Sequence, residues 1–152
     1  MRRTRFDDWD CPIARTTDLL GDWWTPLVLR QAFRGERRFD QIQRSIGIPK
    51  AVLAARLERL VADGVLDRVP YEEHPPRFEY RLTPKGRALW DVLAAMWRWG
   101  SDWGFDGEAP GVFVDAETGE EVRPQVVDAA TGEPLDPRRL RLRPNPRATA
   151  PT

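Results

Sequence analysis

The sequence predicts a mainly α-helical chain with a small β-hairpin, an α+β fold. Three observations predict it. Residues 39–62 hold two helical patterns joined by Gly47-Ile48-Pro49, residues 65–82 hold two strand-like stretches, and residues 84–103 form a long helical pattern after Thr83-Pro84. With 152 residues, 41% apolar content and seven Trp, the chain can bury one real core and carry an appendage.

The first of these stretches organises the rest. Phe39, Ile42 and Ile46 fall on one helical face at steps of three and four. Gly47 permits a sharp turn and Pro49 presets the first turn of a second helix, which runs to residue 62. Its apolar stripe is Leu53, Leu57, Leu60 and Val61, and Gly64 is placed to end it. Two short helices joined by a tight turn form a helix-turn-helix, whose second helix can lie in a DNA major groove. Between residues 34 and 59 seven basic side chains stand against three acidic ones, which suits that reading. An ordinary helical pair with a solvated basic face would show the same pattern.

Ahead of this motif, residues 1–9 read as an arm in which Phe6 and Trp9 are available for packing. A short helix opens at Cys11-Pro12 and stops at Gly21, with Ile13, Thr16 or Thr17, and Leu20 inward. Thr25-Pro26 opens a second, apolar helix over 27–33, ended by Gly35; Trp23 and Trp24 between them are expected in the core. Beyond the motif, residues 65–71 and 78–82 read as strands, with Phe78, Tyr80 and Leu82 alternating toward one face. The polar, proline-containing link 72–77 is assigned to neither strand. Two strands and a loop directly after a helix-turn-helix make the wing of a winged-helix domain.

The helix over 84–103 carries Leu89, Leu93, Met96, Gly100 and Trp103 on one face, widened by Trp90, Ala94 and Trp97. One small core cannot cover so wide a stripe, so a second subunit is expected against part of it, with intrachain packing as the alternative. Residues 105–152 turn rich in Pro, Gly and charge. Within them the string Val114-Asp115-Ala116-Glu117-Thr118-Gly119-Glu120 is echoed by Val127-Asp128-Ala129-Ala130-Thr131-Gly132-Glu133. Asp and Thr before Gly are turn chemistry, so each copy is expected to form a β-turn between short strands. Residues 136–152, with four Pro, are expected to be disordered. The division anticipated is a DNA-binding and dimerisation domain over 1–104, a hairpin-like appendage over 105–135, and a disordered tail.

Composition excludes several classes. The formal net charge is zero, which argues against strong non-specific nucleic-acid binding by the whole molecule. The charge is uneven, however: residues 1–104 hold 18 basic and 15 acidic side chains, residues 105–152 hold 6 and 9. One Cys allows neither an intrachain disulfide nor a Cys-based zinc site within a single chain. No apolar run reaches the roughly 18 residues of a membrane span, and Asp7, Asp8 and Asp10 occupy the place of a signal peptide's apolar segment. A cytoplasmic, soluble protein is expected. With one His, no nucleophile elbow, no glycine-rich phosphate loop and no clustered metal ligands, no enzyme, metal or cofactor is expected.

A set of longer strings carries a resemblance. They are Cys11-Pro12-Ile13-Ala14-Arg15, Asp18-Leu19-Leu20-Gly21-Asp22-Trp23-Trp24-Thr25, Leu27-Val28-Leu29-Arg30, Arg38-Phe39 and Pro49-Lys50-Ala51-Val52-Leu53. Arg56-Leu57, Leu60, Asp63-Gly64, the run from Pro75-Pro76-Arg77-Phe78 to Thr83-Pro84-Lys85-Gly86-Arg87, and Trp99-Gly100 complete it. Together these resemble the HxlR-type winged helix-turn-helix transcription regulators over about residues 9–104. The resemblance implies a homodimer that binds operator DNA as a repressor or activator, with dimerisation through the N-terminal and long C-terminal helices. Two departures stand out. Ile48 occupies the slot where relatives carry a polar cap, and Ala54 and Ala55 stand where polar base readers are common. Ala can touch a thymine methyl but donates no hydrogen bond. The tail is similar to a zinc-ribbon-like hairpin pair found in some relatives, but its turns hold no Cys, which implies a metal-free relic or a protein-contact appendage.

Helical projection from the apolar stripe turns Ala51, Ala55 and Arg59 most directly outward, with Lys50 in the first turn and Arg56 on the flank. The candidate DNA surface is Pro49, Lys50, Ala51, Ala54, Ala55, Arg56 and Arg59, with Arg37 and Arg38 before the motif and His74 and Arg77 on the wing. Arg56 could equally pair within the domain. Trp9, Ile13, Trp90, Leu93, Met96, Trp97 and Gly100 are the candidate dimer interface. Cys11 lies at a helix N-terminus with Arg15 one turn on, which favours a thiolate, while Asp10 opposes it. In some relatives the matching cysteine responds to oxidants or electrophiles, and the resemblance makes that role compatible with Cys11; a lone cysteine acting as a small buried apolar side chain is the commoner case. The expected function is a homodimeric regulator, a repressor in preference to an activator, on a pseudo-palindromic operator with half-sites about one helical turn apart. A small-molecule effector of unknown identity is compatible with it. The alternatives are a winged-helix protein-contact module without sequence-specific DNA binding, and a redox-responsive regulator built on Cys11.

Overall fold

The computed structural model describes residues 6 and 9–146. Its elements run α1 (Pro12–Leu20), α2 (Thr25–Phe33), α3 (Phe39–Ile46), α4 (Lys50–Ala62), β1 (Leu66–Glu73), β2 (Pro76–Leu82), α5 (Pro84–Arg87), α6 (Trp90–Trp103), β3 (Phe113–Val114) and β4 (Glu121–Val122). The chain divides into two compact units, one up to Ala94 and one from Ala95. The mainly α fold with a hairpin wing is thus the one expected. The division falls inside α6, ahead of the change in composition.

The first unit is built around α4. Its stripe of Leu53, Leu57 and Leu60 is fully buried with Val28 and Leu29 of α2, Ile42 of α3, and Val65 and Leu66 at the start of the wing. Ile48 joins them, so the residue in the expected capping slot is a core residue instead. Gly47 closes α3 at φ +66°, a left-handed conformation that costs a residue with a Cβ and that sets the tight turn into α4. Gly86, in α5, permits a close approach of another kind: a Cβ there would lie 2.1 Å from the Val65 carbonyl oxygen.

β1 and β2 pair antiparallel from Leu66 opposite Leu82 to Glu73 opposite Pro76, with a bulge between Pro70 and Glu72. The segment before α3 extends this wing, because the Tyr80 N–H donates to the Arg37 carbonyl at 2.7 Å and Arg38 bridges to Glu79. The strands run further than expected. The link over 72–77 contracts to a turn at His74-Pro75, around a cis peptide bond, because the missing donor of Pro76 falls at the outermost pair of the ladder.

Two further expectations are corrected. Trp23 is 90% exposed while Trp24 packs on the core. The Asp22 carboxylate accepts the N–H groups of Trp24 and Thr25, and that turn points adjacent indoles in different directions. The helix expected over 84–103 is interrupted: the Leu89 N–H donates to Gly86, three residues back, and α6 begins at Trp90. This tightened turn lets Leu89 and Leu93 pack against the core.

In the second unit the tail is ordered around its repeat. Asp115 and Asp128 each accept a backbone N–H two residues on (2.9 and 2.8 Å), and Thr118 and Thr131 each accept one from the following Glu at 3.2 Å. Gly119 and Gly132 end the turns at φ +72° and +73°. Trp97 packs on Phe113 with ring centroids 4.4 Å apart, and Arg123 grips both carboxylate oxygens of Asp102 at 2.9 Å. Residues 136–139 form a further turn, and of the tail expected from residue 136 onward, residues 147–152 lie outside the described residues. The Asp and Thr oxygens of the repeated turns are engaged with their own backbone, and no thiol is present, so these turns do not fit a zinc ion. Truncating Leu57 to Ala should destabilise the first unit by about 2–5 kcal/mol in urea unfolding, since a fully buried side chain would leave a cavity beside α2.

Candidate nucleic-acid interface

With one side of α4 buried, Lys50, Ala51, Ala55, Glu58 and Ala62 are left exposed, and Ala54 is half-buried. Lys50 opens the helix, Pro49 flanks it, and no side chain caps it. The first amide N–H groups and the Lys50 ammonium therefore converge at one end of the helix, a setting that suits phosphate. Glu58 shares the face with Ala51 and Ala55. Stepping three or four residues from Ala55 would have found it, and it places one negative charge among the alanine methyls.

The other cations fall into three groups. Arg37 and Lys50 are exposed, and among the described residues neither side chain has a partner. On the wing, the Arg38 guanidinium lies 4.3 Å from the Tyr71 ring centroid and 3.6 Å from Glu79, and Arg77 lies 3.3 Å from Glu72. His74 is exposed at the wing tip. Hydrogen bonding from Arg81 holds the Glu79 carboxyl below its ordinary range; partial burial opposes this, and the charges of Arg81 and Arg38 reinforce it. Arg68, not singled out in the sequence, lies 3.7 Å over the Phe78 ring and adds an exposed cation to the wing.

Arg59 is placed otherwise than helical projection suggests, whereas Arg56 lies on the flank where projection puts it. Arg59 turns toward the amino-terminal helices, donating to the carbonyl and a carboxylate oxygen of Asp18 at 2.9 and 2.8 Å, with Asp63 at 3.4 Å. Arg56 lies 3.0 Å from Asp22. Both guanidinium groups are mostly shielded, and neither stands on the exposed face. Projection fails for Arg59 because a long side chain follows its counter-ion rather than its Cα–Cβ direction.

The expected subunit face also splits. In the first unit Trp9, Ile13 and Trp90 are exposed, Ile13 to 77%, whereas Leu93 is engaged with the core. In the second unit Met96 is exposed and Gly100 half-buried, and Trp97 is taken by Phe113. Trp99 and Trp103, exposed to 67% and 75%, continue the stripe from Met96 at steps of three and four; Trp99 was overlooked because it sits outside the core-facing register. Cys11 flanks α1 and is half-buried, and Arg15 donates to the Trp9 carbonyl at 2.7 Å, with Asp10 at 4.0 Å. Among the described residues no three His, Cys, Asp or Glu side chains gather to hold a metal, and no helix is long and apolar enough to cross a membrane.

The profile of the HxlR-like helix-turn-helix family matches residues 19–107. An uncharacterised HTH-type transcriptional regulator of Mycobacterium tuberculosis, Rv3095, is 39% identical over 135 residues, covering 88% of this chain and 85% of that protein. PA1607, a protein provisionally assigned as a transcription factor, has a crystal structure similar at a TM-score of 0.84 and 41% identity over 93% of this chain and 100% of its own. That coverage takes in most of the tail. The reduced form of the redox regulator HypR is similar at a TM-score of 0.57 and 32% identity over 60% of this chain and 92% of its own.

Asp22 also sets a pH dependence. Burial raises its carboxyl pKa, but the Thr25 hydroxyl, the Thr25 and Trp24 N–H groups and the Arg56 charge together bring it below the ordinary value of 3.8. A carboxylate lowered on folding contributes stability that is full above the unfolded pKa and is lost as pH falls through the folded one. Asp22→Ala should therefore cost about 1–2 kcal/mol at neutral pH. It should also flatten the loss of stability below about pH 4, measured by denaturant unfolding across pH.

Proposed function

Because the chain belongs to the HxlR-like helix-turn-helix family, a class of transcriptional regulators and not of enzymes, we propose that it binds operator DNA as a homodimer. The observation that carries this reading is α4 itself: one side locked in the core, the other presenting Lys50, an uncapped amino end and alanine methyls. Lys50 and the first amides take phosphate beside the major groove. Ala51, Ala54 and Ala55 meet base edges, where methyl contact favours thymine. Arg37 and Arg38 flank the motif, and His74 and Arg77 bring the wing to the backbone or minor groove.

The dimer draws on the exposed apolar side chains of each unit, Trp9, Ile13 and Trp90 in the first and Met96, Trp99 and Trp103 in the second. Gly100 lies among the latter. Two-fold symmetry then asks for a pseudo-palindromic operator with half-sites about one helical turn apart, occupied as a repressor. Duplexes enriched by the protein from a random-sequence pool test this directly. They should be palindromic, and a fluorescence-anisotropy salt series should show Lys50→Ala flattening the log–log slope by about 0.9. Ile13→Asp should yield monomers by sedimentation and lose the advantage of the full palindrome over one half-site. Enrichment of no sequence would favour the protein-contact module.

A second reading adds redox control. It draws on the place of Cys11 at the amino end of α1 and on the likeness to HypR. Hydrogen peroxide should then convert the Cys11 thiol to a sulfenic acid, with release of water, and change operator affinity in the wild type. If Cys11→Ser responds to peroxide equally, the cysteine is a packing residue.

A further inference from the structure

We propose that Asp18 and Asp22 are positioning residues for DNA recognition, holding α4 through Arg59 and Arg56 in the pose that presents its outer face. This rests on the DNA-binding reading above. The two carboxylates stand four residues apart in the sequence, at the end of α1 and in the turn after it. The guanidinium groups stand three positions apart on one flank of α4, Arg59 hydrogen-bonded to Asp18 and Arg56 in an ion-pair contact with Asp22 that lacks hydrogen-bond alignment. Arg59 donates to both the carbonyl and the carboxylate of Asp18, and Arg56 lies 3.0 Å from Asp22. The side chains of Asp18 and Asp22 are only 6% and 14% exposed.

Pairs shielded to this extent add little net stability, but taking away one member leaves a charge uncompensated, so they define geometry. Asp22 extends the effect: the same carboxylate that faces Arg56 accepts the Trp24 and Thr25 N–H groups, tying the start of α2 to the flank of α4.

Electrostatics alone and positioning predict opposite signs for one substitution. Removing a carboxylate makes the surface more positive and frees an arginine, which would strengthen binding to any duplex and steepen its salt dependence. Loss of positioning weakens binding to the preferred duplex only. The test uses the full chain as wild type, Asp18→Asn and Asp22→Asn; Asn at position 22 still accepts the two N–H groups. Each is measured against a duplex enriched from a random pool and against a scrambled one, and amide hydrogen exchange is followed in the free proteins.

The expected result is about a tenfold loss on the enriched duplex with the scrambled duplex and salt slope unchanged, and faster exchange in α4 than in the wild type while α3 is unaltered. Tighter binding to both duplexes with a steeper slope would overturn the proposal and make Arg56 and Arg59 DNA contacts. Unchanged exchange in α4 would overturn it whatever the DNA data show. If the wild type enriches no sequence, the DNA reading fails and the positioning role with it, even where exchange shows the clamp. Should an Asn variant not fold, Arg59→Lys serves: a phosphate contact survives that change, whereas a fork spanning Asp18 and Asp63 does not.

Discussion

Burial of one side of α4 is the constraint on which the first unit depends. Leu53, Leu57 and Leu60 set the coarse rotation of the helix, because each is fully buried among side chains from α2, α3 and the start of the wing. Once that rotation is set, the remaining faces follow. The outer face carries Lys50 and the alanines, and one flank delivers Arg56 and Arg59 to the amino-terminal helices. Ile48 contributes to the same core, which explains how the turn dispenses with a polar cap. A side chain that packs there cannot also bind amide N–H groups, so the opening of α4 is left with its donors available.

What the sequence disclosed and what it hid follow from the range of the forces involved. The bounds of α3, α4 and α1 were readable because hydrophobic spacing, Gly47 and the Cys11-Pro12 opening act within a few residues. The wing was recognisable, but its strands were read short, since proline looked like a break although its missing donor costs nothing at the end of a ladder. Trp23 was misplaced because a large aromatic is usually core, whereas a two-residue side-chain turn at Asp22 decided its direction. The amino-terminal partners of Arg56 and Arg59 had no local signature, unlike Asp63, four residues on from Arg59. Asp18 lies 41 residues from Arg59, and only the folded packing of α1 beside α4 brings them together.

The apolar excess near the end of the winged domain was sensed in the sequence but not apportioned. Leu93 satisfies the first core and Trp97 satisfies Phe113 in the tail unit, leaving Met96, Trp99 and Trp103 as the uncovered remainder. The tail itself holds its shape by other means. Its strands are two residues long, and its repeated turns close on their own Asp and Thr oxygens. Local hydrogen bonding there replaces the buried surface that a unit of this size cannot assemble.

The alanine face of α4 has a bearing on how such a protein diversifies. Residues that hold a helix in place and residues that read a ligand are often the same, so that altering one role damages the other. Here the stripe, the flank and the outer face are three separate sets of side chains. Positions 51 and 55 are exposed and contribute nothing to the core, and both hold the smallest side chain that keeps a helix. Replacements other than Pro or Gly at these two exposed sites cost at most about 0.7 kcal/mol of helix propensity, so the outer face can change its chemistry by single substitutions while the core stays intact.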